Sequence, residues 1–390
     1  MSAAPGEAPS PPDQAALQRL ATANGSAPVV SVYLRTDPRD PANMRAAPAW
    51  RAALANGLGA VGERLEAGSD RDSRLAFRAL HERLLSRAAQ LDGAELGRGL
   101  AWFAALDGSL EERYTSRLPL AGDLVQLDAR PFVSPLVDLV ARGAPAGIVL
   151  AGGEQVRLLE WAHGSIDETA DWELELDRAD WRPYRGSAGP ARNRPTVTHE
   201  ARLEAREEAQ RERFLTAVAE AVGARIVAGG WERVVLAAAD GLAPRLHVAL
   251  PEPARERVQL DLDLNLLGLT AAEVGRRLEP HLEALHRHRA AALAERLAEA
   301  GPSVAAGPAA VLAALAERRV ERLLLDPLHV PQATPLPDIA QAVLDGAGPD
   351  YVGERAVEAA IASDAAVVTL AIGESEALAR ADGMLAELRW

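Results

Sequence analysis

Apolar residues recur along this chain in two rhythms, and the alternation between them predicts its elements. The run PVVSVYL, Pro28 to Leu34, is short, apolar and rich in β-branched residues, which predicts a strand. Helical spacing precedes it in QAALQRLATAN (14–24), closed by Gly25. The same spacing follows it in two long stretches, Pro48 to Ala67 and Arg71 to Leu91. GRGLAWFAAL (97–106) predicts a buried strand, and 117–127 predicts another. RPFVSPLVDLVARGAPAG (130–147), with three prolines and two glycines after Arg130, marks a boundary. Beyond it, GIVLAGG (147–153) and EQVRLLEWAHG (154–164) predict strands around a tight turn. Trp231 to Leu242 is a continuous apolar strand, as expected of a parallel sheet covered on both faces. RVQLDLDLN (257–265) alternates. Thr270 to Glu273 forms a capping box opening a helix to about Ala300, which Pro280 should kink or divide. The last stretch predicts helix (309–320), strand (321–328), connecting loop (331–349), helix (352–363) and strand (365–372), a compact α/β/α sandwich. The expected fold class is α/β, with three α/β domains at 15–142, 143–300 and 301–390 behind a disordered tail, 1–14.

One stretch breaks both rhythms. Pro183 to His199 is rich in Gly, Pro, Arg and Thr and has no apolar period, so it predicts a long exposed loop. A charged, alanine-rich helix follows from Glu200. Arg182 to His199 holds four arginines and no carboxylate, about +4, in a protein of net charge -14. Long loops inside compact domains tend to be functional. A basic finger on an acidic body points to a polyanion, and the competing reading is a surface loop without a role.

Composition narrows the classes. With 390 residues, 48% hydrophobic and 25% charged, the chain is an ordinary multi-domain globular protein. Cysteine is absent, which removes disulfides, thiol nucleophiles and Cys-based metal sites and suits a reducing cytoplasm. MSAAPGEAPSPPDQ lacks a basic n-region and an apolar core, so no signal peptide is expected. No run of about 18 apolar residues predicts a membrane span. All 42 basic residues are arginine. The overall acidity argues against nonspecific coating of nucleic acid, DNA included, and leaves a local basic site.

Within that site, Arg182, Arg185, Arg192 and Arg194 suit bidentate phosphate contacts. Asn193, Thr196, Thr198 and His199 add neutral donors, and His199 stands at a helix N-terminus that itself attracts anions. Thr198 also reads as the helix cap, which is compatible. Arg202 and Arg206, flanked by Glu204 and Glu208, read as a solvated, salt-bridged face, with only the first turn, and so Arg202, facing RNA. Arg35, Asp37, Arg39 and Arg45 crowd the loop after the first strand, where an Asp-capped turn is the equal alternative. Gly152-Gly153-Glu154 reads as a hairpin turn, since a phosphate loop would need Walker spacing and a lysine. Asp261 and Asp263, alternating on a strand, read as an exposed sheet face before a catalytic pair. His281, His286 and His288 read as a solvated helix face before a metal site. No catalytic residue, metal or cofactor is expected.

The order of these pieces resembles the archaeo-eukaryotic release factor superfamily and its bacterial relatives, which include Pelota-like rescue factors and the hibernation factor Balon. Four places carry the resemblance: VSVYLRTDP; RPFVSPLVDLV before a strand–turn–strand; the long loop before ARLEAREEAQRERFLTAVAEAV; and the C-terminal unit from VLAALAERRVERLLLD to DGMLAELRW. The resemblance implies three α/β domains arranged like a class 1 release factor and binding to the ribosome, with rRNA and tRNA as RNA partners. It implies that Arg35 and Arg39 lie where the first domain meets the small subunit. It also implies that the third domain contacts a translational GTPase, such as elongation factor Tu. Members that release peptide carry Gly-Gly-Gln at the loop tip. Here the motif would fall near Thr196-Val197-Thr198, and no glutamine occurs between Gln155 and Gln210. The expectation is therefore ribosomal A-site occupancy in hibernation or rescue without peptide-release chemistry. The alternative is a peptidyl-tRNA or tRNA hydrolase with a different site.

Overall fold

In this computed structural model the described residues are 10–390, apart from 24, 26, 69, 92–95, 175–198 and 333–334, with backbone alone at 199–205. They form a mixed α/β protein with three sheets in two compact units, one of Met1–Ala144 with Leu282–Trp390 and one of Pro145–His281.

The first unit opens with α1 (Gln14–Ala21), capped by Asp13, and β1 (Val29–Arg35). Helices α2 (Ala49–Gly68) and α3 (Arg71–Gln90) follow, then β2 (Gly99–Ala105), β3 (Glu111–Ser116) and β4 (Leu124–Asp128). The sheet is antiparallel in the order β3-β2-β1-β4. The stretch 117–127, expected as one strand, is mostly the turn between β3 and β4. Alternate residues of β1 explain its apolar run. Val30, Val32 and Leu34 pack on Trp50, Leu54 and Leu58 of α2 and on Phe77, Leu80 and Leu84 of α3. Ser31 and Tyr33 point to the opposite face, where Ser31 accepts from the Phe132 N–H at 2.9 Å and the Tyr33 hydroxyl donates to the Phe132 carbonyl at 2.7 Å. The strand is therefore buried on both faces, although its sheet is antiparallel. From there α4 (Ser134–Gly143) leads to the second unit.

That unit contains β5 (Ala146–Ala151), β6 (Gln155–Ala162) and β7 (Ser165–Glu173), an antiparallel meander. After α5 (His199–Ala228), strand β8 (Val234–Ala238) and β9 (Val258–Leu262) run parallel to β5, giving the order β7-β6-β5-β8-β9. Helices α6 (Leu242–Ala249) and α7 (Glu252–Arg255) join them. The core is built by Leu215, Val218, Val222 and Ile226 of α5 against Val149, Val234 and Leu236. Gly147 has no side chain because Trp231 occupies the space, its ring lying 2.5 Å from where a Cβ would stand. Helix α8 (Ala271–Glu299) passes from this unit into the first. Thr270 and Glu273 exchange hydrogen bonds at its start, as the capping box requires. It remains one helix through Pro280, which removes only one backbone donor.

The remaining elements are β10 (Val304–Ala306), α9 (Pro308–Ala316), β11 (Val320–Leu325), α10 (Asp338–Leu344), α11 (Val352–Ala362), β12 (Ala366–Thr369), α12 (Glu376–Arg380) and β13 (Met384–Leu388). Their sheet has the order β10-β13-β11-β12, so the strand latest in the chain lies inside it. Leu324 and Leu385 pack with Leu293 and Leu297 of α8 on one face. The stretch expected as a plain connecting loop, 331–349, holds α10.

Gly353 of α11 has no room for a methyl group, since a Cβ would stand 2.4 Å from the carbonyl oxygen of Pro327. In an open helix Gly→Ala stabilises by roughly 0.5–1 kcal/mol. Here Gly353→Ala should instead destabilise by about 1–3 kcal/mol, the cost of overpacking, read as a lower urea midpoint.

Candidate nucleic-acid interface

The arginine-rich segment is held at both ends by unit two. Upstream, β7 is an edge strand, and the Leu174 N–H just beyond it donates to the Glu154 carbonyl at 2.7 Å. Downstream, the chain re-enters as α5. Arg182, Arg185, Arg192, Asn193, Arg194, Thr196 and Thr198 lie outside the described residues, and with them the Thr198 cap. His199 and Arg202 fall on the first turn of α5, and their side chains also lie outside the description. Among its described side chains the first one buried is Leu215, so the polar half of α5 stands outside the core.

Beneath that half lies a cavity of about 280 Å³, lined by Gly152, Gly153, Arg211, Asp240, Arg245 and Asn265 among others. It sits past the carboxyl ends of the parallel strands β5, β8 and β9, where open α/β sheets hold ligands. Gly152 makes the tight turn from β5 to β6, its N–H donating to the Gln155 carbonyl at 2.8 Å, so this corner is the hairpin expected. Asp240 and Gly241 both have positive φ, 58° and 70°, which turns β8 sharply into α6. The charges are already matched. Arg211 reaches Glu154 at 2.8 Å, and Arg245 pairs with Glu212 and lies 3.8 Å from Glu208. Two guanidiniums thus face Glu154, Glu208, Glu212 and Asp240, and this foot has no surplus positive charge for a phosphate.

In unit one, Arg35 and Arg39 are about half exposed and both are ion-paired. Asp123 accepts from the Arg35 backbone N–H at 2.7 Å and from its guanidinium at 3.1 Å. Asp37 accepts from the Arg39 backbone and guanidinium and, at 2.7 Å, from Arg98. The bond from Arg39 is the main reason its carboxyl titrates well below the usual range, and partial burial opposes the shift. Asn43 closes the turn by donating to the Arg35 and Asp37 carbonyls. The Asp-centred turn is therefore present, with the outer faces of both arginines in solvent.

Other sequence candidates separate. Asp261 is exposed and bonded to His247 at 2.8 Å, and Asp263, just beyond the end of β9, is exposed as well. His288 is exposed, but His286 is mostly covered and lies 3.8 Å from Asp138, which corrects the expectation of a solvated histidine face. Among the described residues no group of three metal-ligating side chains converges. None of the described helices is long and apolar enough to cross a membrane.

The meander, the segment carrying four arginines, and the long polar-to-apolar helix after it are matched as one block. Residues 131–283 fit the family model described as Bacterial archaeo-eukaryotic release factor family 10. This release-factor match covers unit two together with α4. Among solved structures the chain is similar to an archaeal translation termination factor, aRF1, at 17% identity over 93% of this chain and 92% of that one, with a TM-score of 0.23. It is similar to archaeal Pelota in a ribosome-bound model with ABCE1, at 17% identity over 77% and 79%, TM-score 0.39. It is also similar to Pelota of Archaeoglobus fulgidus, at 13% identity over 75% and 79%, TM-score 0.35. No curated protein matches. The functional reading rests on the family match and on the residues of the site.

Asp37→Ala should remove the acceptor shared by Arg39 and Arg98 and cost on the order of 1–3 kcal/mol in chemical denaturation. Because the folded carboxyl titrates below its ordinary value, its contribution is full above about pH 4 and is lost as pH falls further. The variant should therefore lose less stability than the parent on acidification.

Proposed function

We propose that this protein is a cytoplasmic, ribosome-binding translation factor. It occupies the vacant A site and directs the Arg182–His199 segment toward the RNA of the peptidyl-transferase centre. The observation that carries this reading is the release-factor family match over 131–283, which encloses the whole arginine segment. The charge balance supports it, since about +4 is concentrated there in a protein of net charge -14. Phosphate contacts from Arg182, Arg185, Arg192 and Arg194 bring the segment to RNA, and Asn193, Thr196, Thr198, His199 and Arg202 complete the contact. Arg35 and Arg39 meet small-subunit RNA with the faces their carboxylate partners leave open. Without Gly-Gly-Gln the factor acts by occupancy, in hibernation or in rescue of stalled ribosomes. A translational GTPase such as elongation factor Tu is its protein partner.

The test is co-sedimentation with ribosomes across a salt series. The parent should pellet with ribosomes at low salt, and Arg192→Ala with Arg194→Ala should weaken binding. The double variant should also lower the slope of log affinity against log salt by roughly 1.5, the loss of two phosphate contacts. Equal binding by parent and variant would remove the segment from the interface, and no pelleting of the parent would remove the ribosome. Release of peptide from peptidyl-tRNA by the purified protein would favour the hydrolase instead.

A further inference from the structure

Unit one contains a buried set of charges that the RNA-binding reading does not use. Glu354 on α11 is fully buried. Its carboxyl accepts three hydrogen bonds at the start of α4, from the Val133 N–H, the Ser134 hydroxyl, and the Ser134 N–H at 3.1 Å. Val133, the N-cap of α4, supplies no side-chain acceptor, so Glu354 is the cap, delivered from a helix more than 200 residues away in sequence. The surrounding charged groups are engaged elsewhere. Arg355 bonds Glu358 at 2.6 Å and also Asp128 at the end of β4. Arg130 bonds Glu358 at 2.9 Å and Asp345, at the end of α10, at 2.7 Å. Asp138, one turn along α4, is bonded to Arg142 at 2.8 Å and has His286 of α8 at 3.8 Å. Tyr33 on β1 spends its hydroxyl on the Phe132 carbonyl, and the Tyr351 ring meets Phe132 edge-on. Neither Arg130 nor Arg355 bonds Glu354. Its hydrogen bonds come from dipoles alone, the Arg355 charge acts on it without a bond, and a second carboxylate, Glu358, stands one helical turn away.

We propose that Glu354 is a proton-linked fastener, whose protonation tightens the joint between the N-terminal and C-terminal parts of unit one and whose ionisation loosens it. Two effects compete. Hydrogen bonds from Ser134 and Val133 favour the carboxylate, whereas burial and the nearby Glu358 favour the acid. Burial is the larger, and the carboxyl is pushed up to about 7. In the acid form Oε1 stays with the Val133 N–H, while the proton, on Oε2, turns to the Ser134 hydroxyl oxygen. The sign follows from the folded value lying above the ordinary 4.5. The stabilisation is complete below about pH 4.5, declines as pH rises, and is gone above about pH 7. Mild acidification therefore closes the joint, and alkalinisation opens it.

Urea denaturation of the full chain and of Glu354→Gln over this range tests the assignment. The unfolding constant of the parent should rise by up to about tenfold per pH unit through this group, and the variant should lack that share. Hydrogen exchange corrected for intrinsic rate should show the first amides of α4 losing protection as pH rises in the parent alone. Equal pH slopes in the two proteins overturn the proposal. Should Glu354→Gln not fold, infrared spectroscopy of the parent labelled with carbon-13 glutamate decides. A protonated-carboxyl band that fades around pH 7 supports the fastener, and no such band above about pH 5.5 overturns it.

Discussion

The N-terminal and C-terminal parts of unit one are joined by a short stretch of backbone, Asp128 to Ser134, gripped from two directions. On one side Ser31 and Tyr33 of β1 hold the Phe132 peptide. On the other, α11 presents Glu354 to the amides of Val133 and Ser134, and its neighbours Arg355 and Glu358 to Asp128 and Arg130. A buried unpaired charge or an uncapped buried helix end costs several kcal/mol, so these contacts stand or fall together. Along the chain, α4 is followed directly by β5.

Unit two follows a different economy of charge. Its arginines near the sheet are neutralised by carboxylates on neighbouring elements, as with Arg211 and Glu154, while those of 182–194 have no acid in their own stretch. This separation leaves a local basic stretch in a protein of net charge -14. The polar half of α5 connects the two regimes. Its inner end is sealed by Leu215 and Val218, and its outer end leads to the arginines.

Much of this was legible in the sequence where a single period dominates. β1, α2, α3, β8 and β11 stand close to where their apolar spacing puts them, and the capping box at Thr270 is realised. β7 was missed because, as an edge strand, it buries little and its SIDETADWE reads as polar loop. α10 was hidden among prolines at 331–337. The arginine segment was legible from composition because no carboxylate dilutes it. The neutral foot beneath it was not, since Arg211 and Arg245 find their acids on other elements. Glu354 gave no signal at all. VGERAVEAAIAS reads simply as a helix, and only packing against α4 and β4 shows that its Glu354 is inside.

The placement of β13 between β10 and β11 has a consequence for how the chain is made. Strands β10, β11 and β12 leave the synthesising ribosome before the strand that must lie among them, so their sheet cannot close until β13 follows. Unit two, contiguous from Pro145 to His281, has all its strands in hand well before that point. α4 meanwhile waits for a cap supplied by residue 354. The order of synthesis thus delivers the strands of unit two first, the cap of α4 later and β13 last.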